Sequence, residues 1–495
     1  MPDTIHGRRR WLALTVLCLG MVMIVIDGSV VYVALPSIRA DLGFSETSLV
    51  WLVNAYILTF GGFQLLGGRL GDLYGTRKVF LIGIVAFTLA SLACGLATSQ
   101  TTLIWGRVVQ GLGGAVVSTV SFALIINMFT DPGERAKVMG VCGLVFCAVG
   151  SVGVFLGGFI TTSLSWHWIF LINLPVGALV CVLCLWLIPA PSRGASVRED
   201  GAVAGKPPRT ERLDVFGAVT VTASLVLAVY AVINGNEAGW TSKQTVGTLS
   251  AAVVSMAAFL VIESRVRAPL MPLGLFRSRA LLIANIAAVL WAAATFAWGF
   301  MGTLYLQRVL GHNSMQVALA FLPANVVSTV VSLAFSAKIV SRFGIRIPFA
   351  VGLLLGALGL ALFAGAPVNG NVLTDVMPGM TLLGIGSGIF FNPLLLAAMS
   401  GVDPNDSGLA SGLLGTSSMM GGALGLAVLA SAAAARTQKL TISGLEPLAA
   451  LNGGYHLAFA TGAVLAGAAA VIGIVLLPSG NADKLSPRQS AGITP

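Results

Sequence analysis

The sequence predicts an all-α integral membrane protein that crosses a lipid bilayer fourteen times. Only 9% of its 495 residues are charged, whereas a soluble globular domain carries about 25%. Hydrophobic residues make up 56% of the chain, and the mean hydropathy is +0.93. A chain with so few charges cannot cover a water-facing surface, and its 60 glycines suit helices that pack closely in lipid.

Apolar segments of the required length occur throughout the chain. A helix needs about 20 apolar residues to cross roughly 30 Å of hydrocarbon. This criterion predicts helices near 11–34, 48–68, 79–98, 102–127, 138–161, 166–188, 213–234, 246–263, 280–303, 316–338, 348–366, 374–399, 407–432 and 455–477. The first segment is longer than the core of a cleavable signal, so we expect it to stay as an anchor. All six cysteines lie inside these segments, where packing is their expected role, and no metal site is predicted.

The basic residues predict the orientation of the chain. An even number of crossings places both termini on one side of the membrane. If that side is the cytoplasm, 22 of the 28 lysines and arginines lie there and five lie on the other side, with Arg107 inside a segment. This bias follows the positive-inside rule and predicts cytoplasmic termini. Nucleic-acid binding is not expected, because the basic loops explain the net charge of +10 and lack interleaved aromatic residues.

Two loops repeat along the chain. Residues 68–77 and 337–346, which are 269 positions apart, share a basic, an aliphatic and an aromatic residue, a glycine and an arginine in the same order. Asp131-Pro132 is echoed by Asp403-Pro404, 272 positions later. The repeat predicts two parallel halves of six helices, as in one class of secondary transporter. The predicted domains are a first bundle, a cytoplasmic linker, two inserted helices, a second bundle and a cytoplasmic tail, over residues 1–188, 189–212, 213–263, 264–477 and 478–495.

Two ionisable residues lie deep inside apolar segments. Asp27 is about 24 Å along the first helix, and an ionised carboxylate there costs several kcal/mol unless it is paired or hydrated. We therefore expect Asp27 to exchange a proton or to recognise a cation; a structural carboxylate is the alternative. Arg107 stays charged and must find acceptors inside the bundle, either to tune proton transfer or as a static hydrogen-bond anchor.

The loop between the second and third helices has the composition of a conformational latch. Gly68 and Gly75 permit a tight reversal. Asp72 is placed to accept a hydrogen bond from the N-terminus of a neighbouring helix. Arg77 and Lys78 are expected at the lipid headgroups. An ordinary charged surface loop is the alternative interpretation.

These residues resemble the motifs of a known transporter family. The pattern Gly68-x-Leu70-x-Asp72-x-x-Gly75-x-Arg77-Lys78 resembles the signature loop of the major facilitator superfamily. Residues 103–115, which contain Arg107 and Gln110, look like its fourth-helix motif. Residues 27–36 and 165–175 resemble motifs of its fourteen-helix drug:proton antiporter branch. The resemblance implies the major facilitator fold, with two six-helix bundles plus two inserted transmembrane helices.

The fifth helix resembles the antiporter motif of this branch but departs from it. The glycines Gly153, Gly157 and Gly158 are present, whereas Val154 replaces the usual proline. The glycines permit close packing, and the bend that a proline drives is lost. His167 replaces the usual arginine between two tryptophans. Helices ten and thirteen carry no acidic residue, which indicates a single coupling carboxylate and substrates that are neutral or singly cationic.

The resemblance implies a proton-coupled secondary transporter that exports lipophilic drugs or toxic metabolites by alternating access. No ATP-binding motif occurs, so a proton gradient is the expected energy source and no cofactor is expected. The alternatives are an exporter dedicated to one metabolite or antibiotic and a proton-coupled uptake symporter. An enzyme is not expected, because all four histidines lie at loops or helix ends.

The expected partners are the lipid bilayer, protons and a lipophilic small molecule. The expected location is the inner membrane of a bacterial cell, where the chain works as a monomer, with a periplasmic adaptor only if the host is Gram-negative. The candidate residues of the substrate cavity are polar or aromatic: Tyr32, Gln110, Trp291, Trp298 and Asn392. Tyr32 stands where the family usually has asparagine.

Overall fold

A computed structural model describes residues 2–129, 131–187, 214–266, 269–271, 273–400, 402 and 407–477. Fourteen long helices follow one another in these ranges: α1 (Pro2–Leu42), α2 (Glu46–Tyr74), α3 (Thr76–Gly95), α4 (Gln100–Met128), α5 (Pro132–Ser163), α6 (Trp168–Leu187), α7 (Val215–Ala238), α8 (Lys243–Arg265), α9 (Arg279–Val309), α10 (Ser314–Phe343), α11 (Arg346–Phe363), α12 (Val372–Met399), α13 (Ser407–Ile442) and α14 (Pro447–Leu476). Ile172 interrupts α6. Three of the helices contain a single turn of π-helix, which lies at the end of α9, within α10 and at the start of α12.

The predicted crossings are all helical. Thirteen helices in the described part of the chain are long and apolar enough to cross a bilayer. The remaining predicted crossing is α5, whose described apolar stretch Val152–Ser163 is shorter. The segment predicted at 374–399 is helical within α12 despite its two prolines. Pro378 lies in the first turn of the regular α-helix Met377–Met399, which follows the π-helical turn, and Pro393 lies inside that helix. The all-helical, fourteen-crossing fold is therefore confirmed.

Helix packing repeats between the two halves of the chain. In the first half, α4 packs on α2 and α3, α1 packs on α5, and α3 packs on α6. The second half repeats this pattern eight helices later, with α12 on α10 and α11, α9 on α13, and α11 on α14. The halves meet through a corresponding pair of contacts, α5 with α10 and α13 with α2.

The inserted helices lie on one side of this arrangement. Helix α7 packs against α2 and α13, whereas the main neighbour of α8 is α7. Few residues of α8 are buried. The linker at 189–212 and the tail at 478–495 lie outside the described residues, so the domain boundaries stay predictions.

Each repeated loop contains a glycine with positive φ at the same position of the repeat. Gly75 ends α2 with φ of +90°, and Gly344, 269 residues later, ends α10 with φ of +73°. Both values lie in the left-handed region, which only glycine adopts without strain. Asp131 begins α5 by accepting a hydrogen bond from the Glu134 N–H at 2.8 Å, while its predicted echo at 403–406 lies outside the described residues. We call the side of the bundle with Gly75 and Gly344 the near side, and the opposite side the far side.

Candidate functional site

The two predicted buried charges contact each other. Asp27 of α1 has none of its surface exposed, and Arg107 of α4 has 1% exposed. The guanidinium of Arg107 donates to the Asp27 carboxylate and forms an ion pair with it. Two opposite charges compensate one another here, where the burial of either charge alone would cost several kcal/mol. The residues that the sequence singled out separately therefore form one site.

Amide side chains complete the surroundings of the Asp27 carboxylate. Gln110 and Asn173 donate to Asp27 Oδ1 from 2.9 Å and 3.0 Å. Gln110 also donates to Ser91 Oγ at 2.8 Å and accepts from Arg107 at 2.9 Å. The Asp27 carboxylate thus accepts hydrogen bonds from three side chains of α4 and α6, and Ser91 of α3 accepts the hydrogen bond that orients Gln110.

Arg107 is fixed on a second side by α2. Its Nε donates to the Leu52 carbonyl at 3.2 Å, and its guanidinium carbon lies 4.2 Å from the centre of the Tyr56 ring. A cation over an aromatic face contributes about 2 kcal/mol where water is excluded. Arg107 is therefore held in position by contacts with α2 in addition to its ion pair with Asp27.

A cavity of about 400 Å³ adjoins this pair and lies between the two halves. Its walls are mainly apolar: Met21, Ile24, Val25, Gly28, Ser29, Val31, Tyr32, Val53, Tyr56, Ile57, Phe60, Arg107, Ser118, Phe296 and Met419. Phe296 and Met419 come from the second half, on α9 and α13. Arg107 both lines the cavity and binds Asp27, so it connects the buried carboxylate to this apolar space.

Only one of the five candidate cavity residues lines this space. Tyr32 does so, whereas Gln110 lies in the hydrogen-bond network. Trp291 packs on Phe390 and Trp298 on Phe321, at ring-centre distances of 5.5 Å and 5.0 Å, and Asn392 donates to the Ser332 carbonyl at 3.3 Å. These last three residues belong to packing within the second half.

The glycines of α5 lie at helix contacts. A Cβ on Gly157 would come within 2.9 Å of the Val30 Cα, so this glycine allows α5 to approach α1. Gly153 of α5 faces Ser29 of α1. Gly158 points to the other half, where a Cβ would lie 2.6 Å from the Ala318 Cβ of α10. The motif therefore combines packing within the first half with the contact between halves.

The structure modifies the expected latch loop. Helix α2 continues through Gly68 to Tyr74, so the reversal predicted for Gly68 and Gly75 is made by Gly75 alone. Arg77 donates to the Leu185 carbonyl of α6 at 2.8 Å, and its position at the headgroups stays a prediction. Lys78 is exposed, and the side chain of Asp72 is outside what the structure describes.

The far ends of the halves are joined by polar contacts. Arg308, at the end of α9, forms an ion pair with Glu46, at the start of α2. Arg39 of α1 lies 3.6 Å from the same carboxylate. Gln307 donates to the Val33 carbonyl of α1 at 2.9 Å. These contacts hold the far side closed.

Sequence reasoning did not assign a role to Ser91, Tyr56 or Asn173. Asn173 stood within a quoted motif, and a buried amide in an apolar helix is a signal for a polar partner. Ser91 carried no comparable signal, because a helical serine can bond its own backbone, as Ser91 also does with the Phe87 carbonyl at 2.9 Å.

Comparisons with known proteins agree with this geometry. A sequence model of the Major Facilitator Superfamily matches residues 17–426. The puromycin resistance protein of Streptomyces alboniger is 35% identical, over 98% of this chain and 95% of its own. The cephamycin export protein of Amycolatopsis lactamdurans is 38% identical, over 84% of each chain. The solved structure of a bacterial homolog of the human lysosomal transporter Spinster, inward-facing and unoccupied, superposes with a TM-score of 0.64 at 18% identity, over 94% of this chain and 97% of that one.

Proposed function

Because the chain belongs to the major facilitator superfamily, we propose that this transporter exports lipophilic drugs or toxic metabolites in exchange for protons. The observation that carries the proposal is the position of Arg107, which binds the buried Asp27 carboxylate and also lines the apolar cavity between the halves. The names of the two relatives, a resistance protein and an export protein, favour export over uptake.

The proposed cycle uses the ion pair as a switch. A proton that enters from outside the cell neutralises Asp27 and releases Arg107, which alters the charge at the cavity wall and displaces the substrate. The two halves then rock about the cavity, and Asp27 returns its proton to the cytoplasm. The exchange needs no bound cofactor, since the proton gradient supplies the free energy.

We assign the remaining motifs to conformational change. The loop at Gly75, which Arg77 fastens to α6 within the first half, is proposed to act as a latch on the near side when the far side opens. The glycines of α5 are proposed to provide the surfaces on which α5 moves against α1 and α10. The predicted domains at 1–188, 213–263 and 264–477 are the proposed rigid parts.

We place the protein in the inner membrane of a bacterial cell, with the near side in the cytoplasm. The termini are then cytoplasmic, in agreement with the 22 basic residues assigned to that side. The monomer contains the complete cavity and is the proposed working unit. An adaptor would be needed only in a host with an outer membrane.

A dedicated antibiotic exporter is the second candidate. Each of the two relatives is named for a single antibiotic. A panel of unrelated toxic compounds separates the two proposals in a pump-deficient bacterium, since a dedicated exporter would confer resistance to one chemical class only.

The test of proton coupling replaces Asp27 by asparagine. In everted vesicles, the rate of proton-driven uptake of puromycin and ethidium is expected to fall by about tenfold or more in Asp27→Asn, a rise of at least about 1.4 kcal/mol in the activation free energy of transport. Asparagine keeps the size of the side chain but cannot exchange the proton.

The matched control is Asp41→Asn on the same helix. Asp41 lies outside the network and accepts a hydrogen bond from Trp166 Nε1 at 2.9 Å, which an asparagine oxygen also accepts. This variant is expected to transport like the wild type. Full proton-driven transport by Asp27→Asn would show that the coupling carboxylate lies elsewhere.

A further inference from the structure

Two other carboxylates are buried at the near end of the inserted helices. Asp214 immediately precedes α7 and has 6% of its surface exposed. Glu263 lies in the last turn of α8 and has 3% exposed. Acidic side chains are almost never this deeply buried unless they are paired with a cation or protonated.

The register of the α7–α8 hairpin brings the two carboxylates to the same level. Ser224 donates to the Ala252 carbonyl at 2.8 Å, and Ser255 donates to the Thr220 carbonyl at 2.9 Å. In two antiparallel helices, residues at the same level have numbers with a constant sum, and these two pairs have nearly the same sum. Asp214 and Glu263 also have nearly this sum, so they lie opposite each other at the near end of the hairpin. The field of Asp214 also acts on Glu263.

The connection that follows α8 encloses the pair. Leu270 packs in one apolar cluster with Ala218 of α7 and Leu66 of α2. The neighbouring Met271 N–H donates to Glu263 Oε2 at 3.2 Å. Glu263 therefore fastens this connection to α8, while Leu270 packs it against α7 and α2.

Each carboxylate has one oxygen with a partner and one without. Asp214 Oδ1 accepts from the Gly217 N–H at 2.8 Å, whereas Oδ2 is buried with no hydrogen bond. On Glu263 it is Oε1 that is buried with no partner. An unsatisfied buried polar atom costs about 1–3 kcal/mol. A proton on Glu263 Oε1 would turn that oxygen into a hydrogen-bond donor. The unpartnered Oδ2 of Asp214 is a hydrogen-bond acceptor.

The surroundings favour the proton on Glu263. The N-terminus of α7 stabilises negative charge on Asp214, and the C-terminus of α8 disfavours negative charge on Glu263. Among the side chains that the structure describes, the other charged residues at the near ends of the packed helices are Arg69 of α2 and Arg265 of α8. Arg265 is exposed.

We propose that Asp214 and Glu263 form a second proton-binding site, in which one proton resides on Glu263 and the neighbouring negative charge of Asp214 favours its binding. The site is separate from Asp27 and does not rest on the proposed export function. Loss of its proton leaves two negative charges in a buried space, although it strengthens the hydrogen bond that Glu263 accepts from the Met271 N–H.

Infrared difference spectroscopy detects such a proton directly. The full-length protein in lipid nanodiscs would be compared at acidic and alkaline pH, with attention to the carbonyl band of protonated carboxylic acids. Glu263→Gln is expected to lose one titrating band that Asp27→Asn retains. Asp214→Asn keeps a residue that caps α7 and is expected to move the pH at which the band disappears.

Glu446→Gln is the matched control, because Glu446 is an exposed acid at the start of α14. It is expected to leave the band unchanged. The proposal is overturned if Glu263→Gln retains every titrating band of the wild type. It is equally overturned if the band is absent and sodium or magnesium ions, added at constant pH, perturb the carboxylate signals of Glu263 instead, which would identify a metal-cation site. Monodisperse gel filtration of each variant establishes that it is folded.

Discussion

The ion pair between Asp27 and Arg107 has no contact with bulk water, so each charge depends on the other. Arg107→Leu leaves an ionised carboxylate with two amide donors and no counterion. We expect this variant to lose about 3–5 kcal/mol of stability. The double variant Asp27→Asn with Arg107→Leu removes both charges and is expected to recover most of that loss. Thermal unfolding in detergent, measured on both single variants and on the double variant, provides the comparison.

A different result would identify a different role for Arg107. If the double variant were as unstable as Arg107→Leu alone, the loss would come from the packing of the guanidinium on the Tyr56 ring and not from the unpaired carboxylate. Arg107→Lys separates these effects further, since lysine keeps the charge but not the planar group that stacks on an aromatic face.

Single residues were predictable from the sequence only where hydrocarbon makes them costly. Asp27 and Arg107 could be found because a charge inside an apolar helix needs a special explanation. Trp291 and Trp298 could not be separated from cavity residues, because an aromatic side chain packs equally well against a neighbouring helix or a substrate. Their surroundings depend on how α9 is rotated about its own axis. The sequence does not predict that rotation, because α9 is apolar on every face.

At the scale of helices, the contact between α5 and α10 depends on the absence of a side chain at Gly158. A Cβ there would lie 2.7 Å from the Ser314 carbonyl oxygen as well as against Ala318. Gly158→Ala is expected to separate the helices and destabilise the closed far side by about 1–3 kcal/mol. Spin labels at the exposed positions Thr98 and Asn369, one in each half, would report a longer distance.

Gly150 on the same helix provides the control. A Cβ at Gly150 meets no atom within 4 Å. Gly150→Ala is expected to leave the label distance unchanged and to favour the helix slightly, because alanine has about 1 kcal/mol better helix propensity than glycine. Equal effects of the two substitutions would mean that helix propensity, and not the contact with α10, determines the response.

The number and order of helices could be read from hydropathy, but their ends could not. Helix α13 continues to Ile442, ten residues past its predicted end at 432, and α14 begins at Pro447 instead of 455. Hydropathy measures where the chain leaves hydrocarbon, whereas a helix continues as long as its backbone hydrogen bonds are favourable. Arg436 and Lys439 lie in this extension, where water can reach them.

At the scale of the whole molecule, the far side is held closed by the ion pair of Glu46 and Arg308. Arg308→Gln removes that pair, while Arg39 still lies near Glu46. The pair is partly exposed, so we expect a shift toward the open far side of about 1 kcal/mol or less, up to roughly fivefold in population. The spin labels at Thr98 and Asn369 measure this population.

The control is Arg436→Gln, which removes an exposed arginine of α13 on the same side. It is expected to leave the distance distribution unchanged. The difference between wild type and Arg308→Gln should also shrink at high salt, because salt screens exposed charges. A difference that does not respond to salt would contradict an ionic origin of the closure.

The pairing of the halves was predictable from the loops because their turns have a backbone requirement. Gly75 and Gly344 both adopt positive φ, so the repeated glycine marks equivalent points in two similar structures. The cavity between the halves was not predictable in this way. It is formed by residues such as Phe60 and Met419, which resemble every other apolar residue of their helices.

The α7–α8 hairpin has a consequence for how such chains diversify. Two added crossings return the chain to the side from which it left, so every later helix keeps its direction. A single added helix would invert α9 to α14 and carry Lys338, Arg342 and Arg346 across the membrane with their loop. Since α8 has its main contact with α7, an ancestor could gain or lose the hairpin as one unit while the other twelve helices stayed in register. Lineages with twelve and fourteen crossings can thus share one architecture.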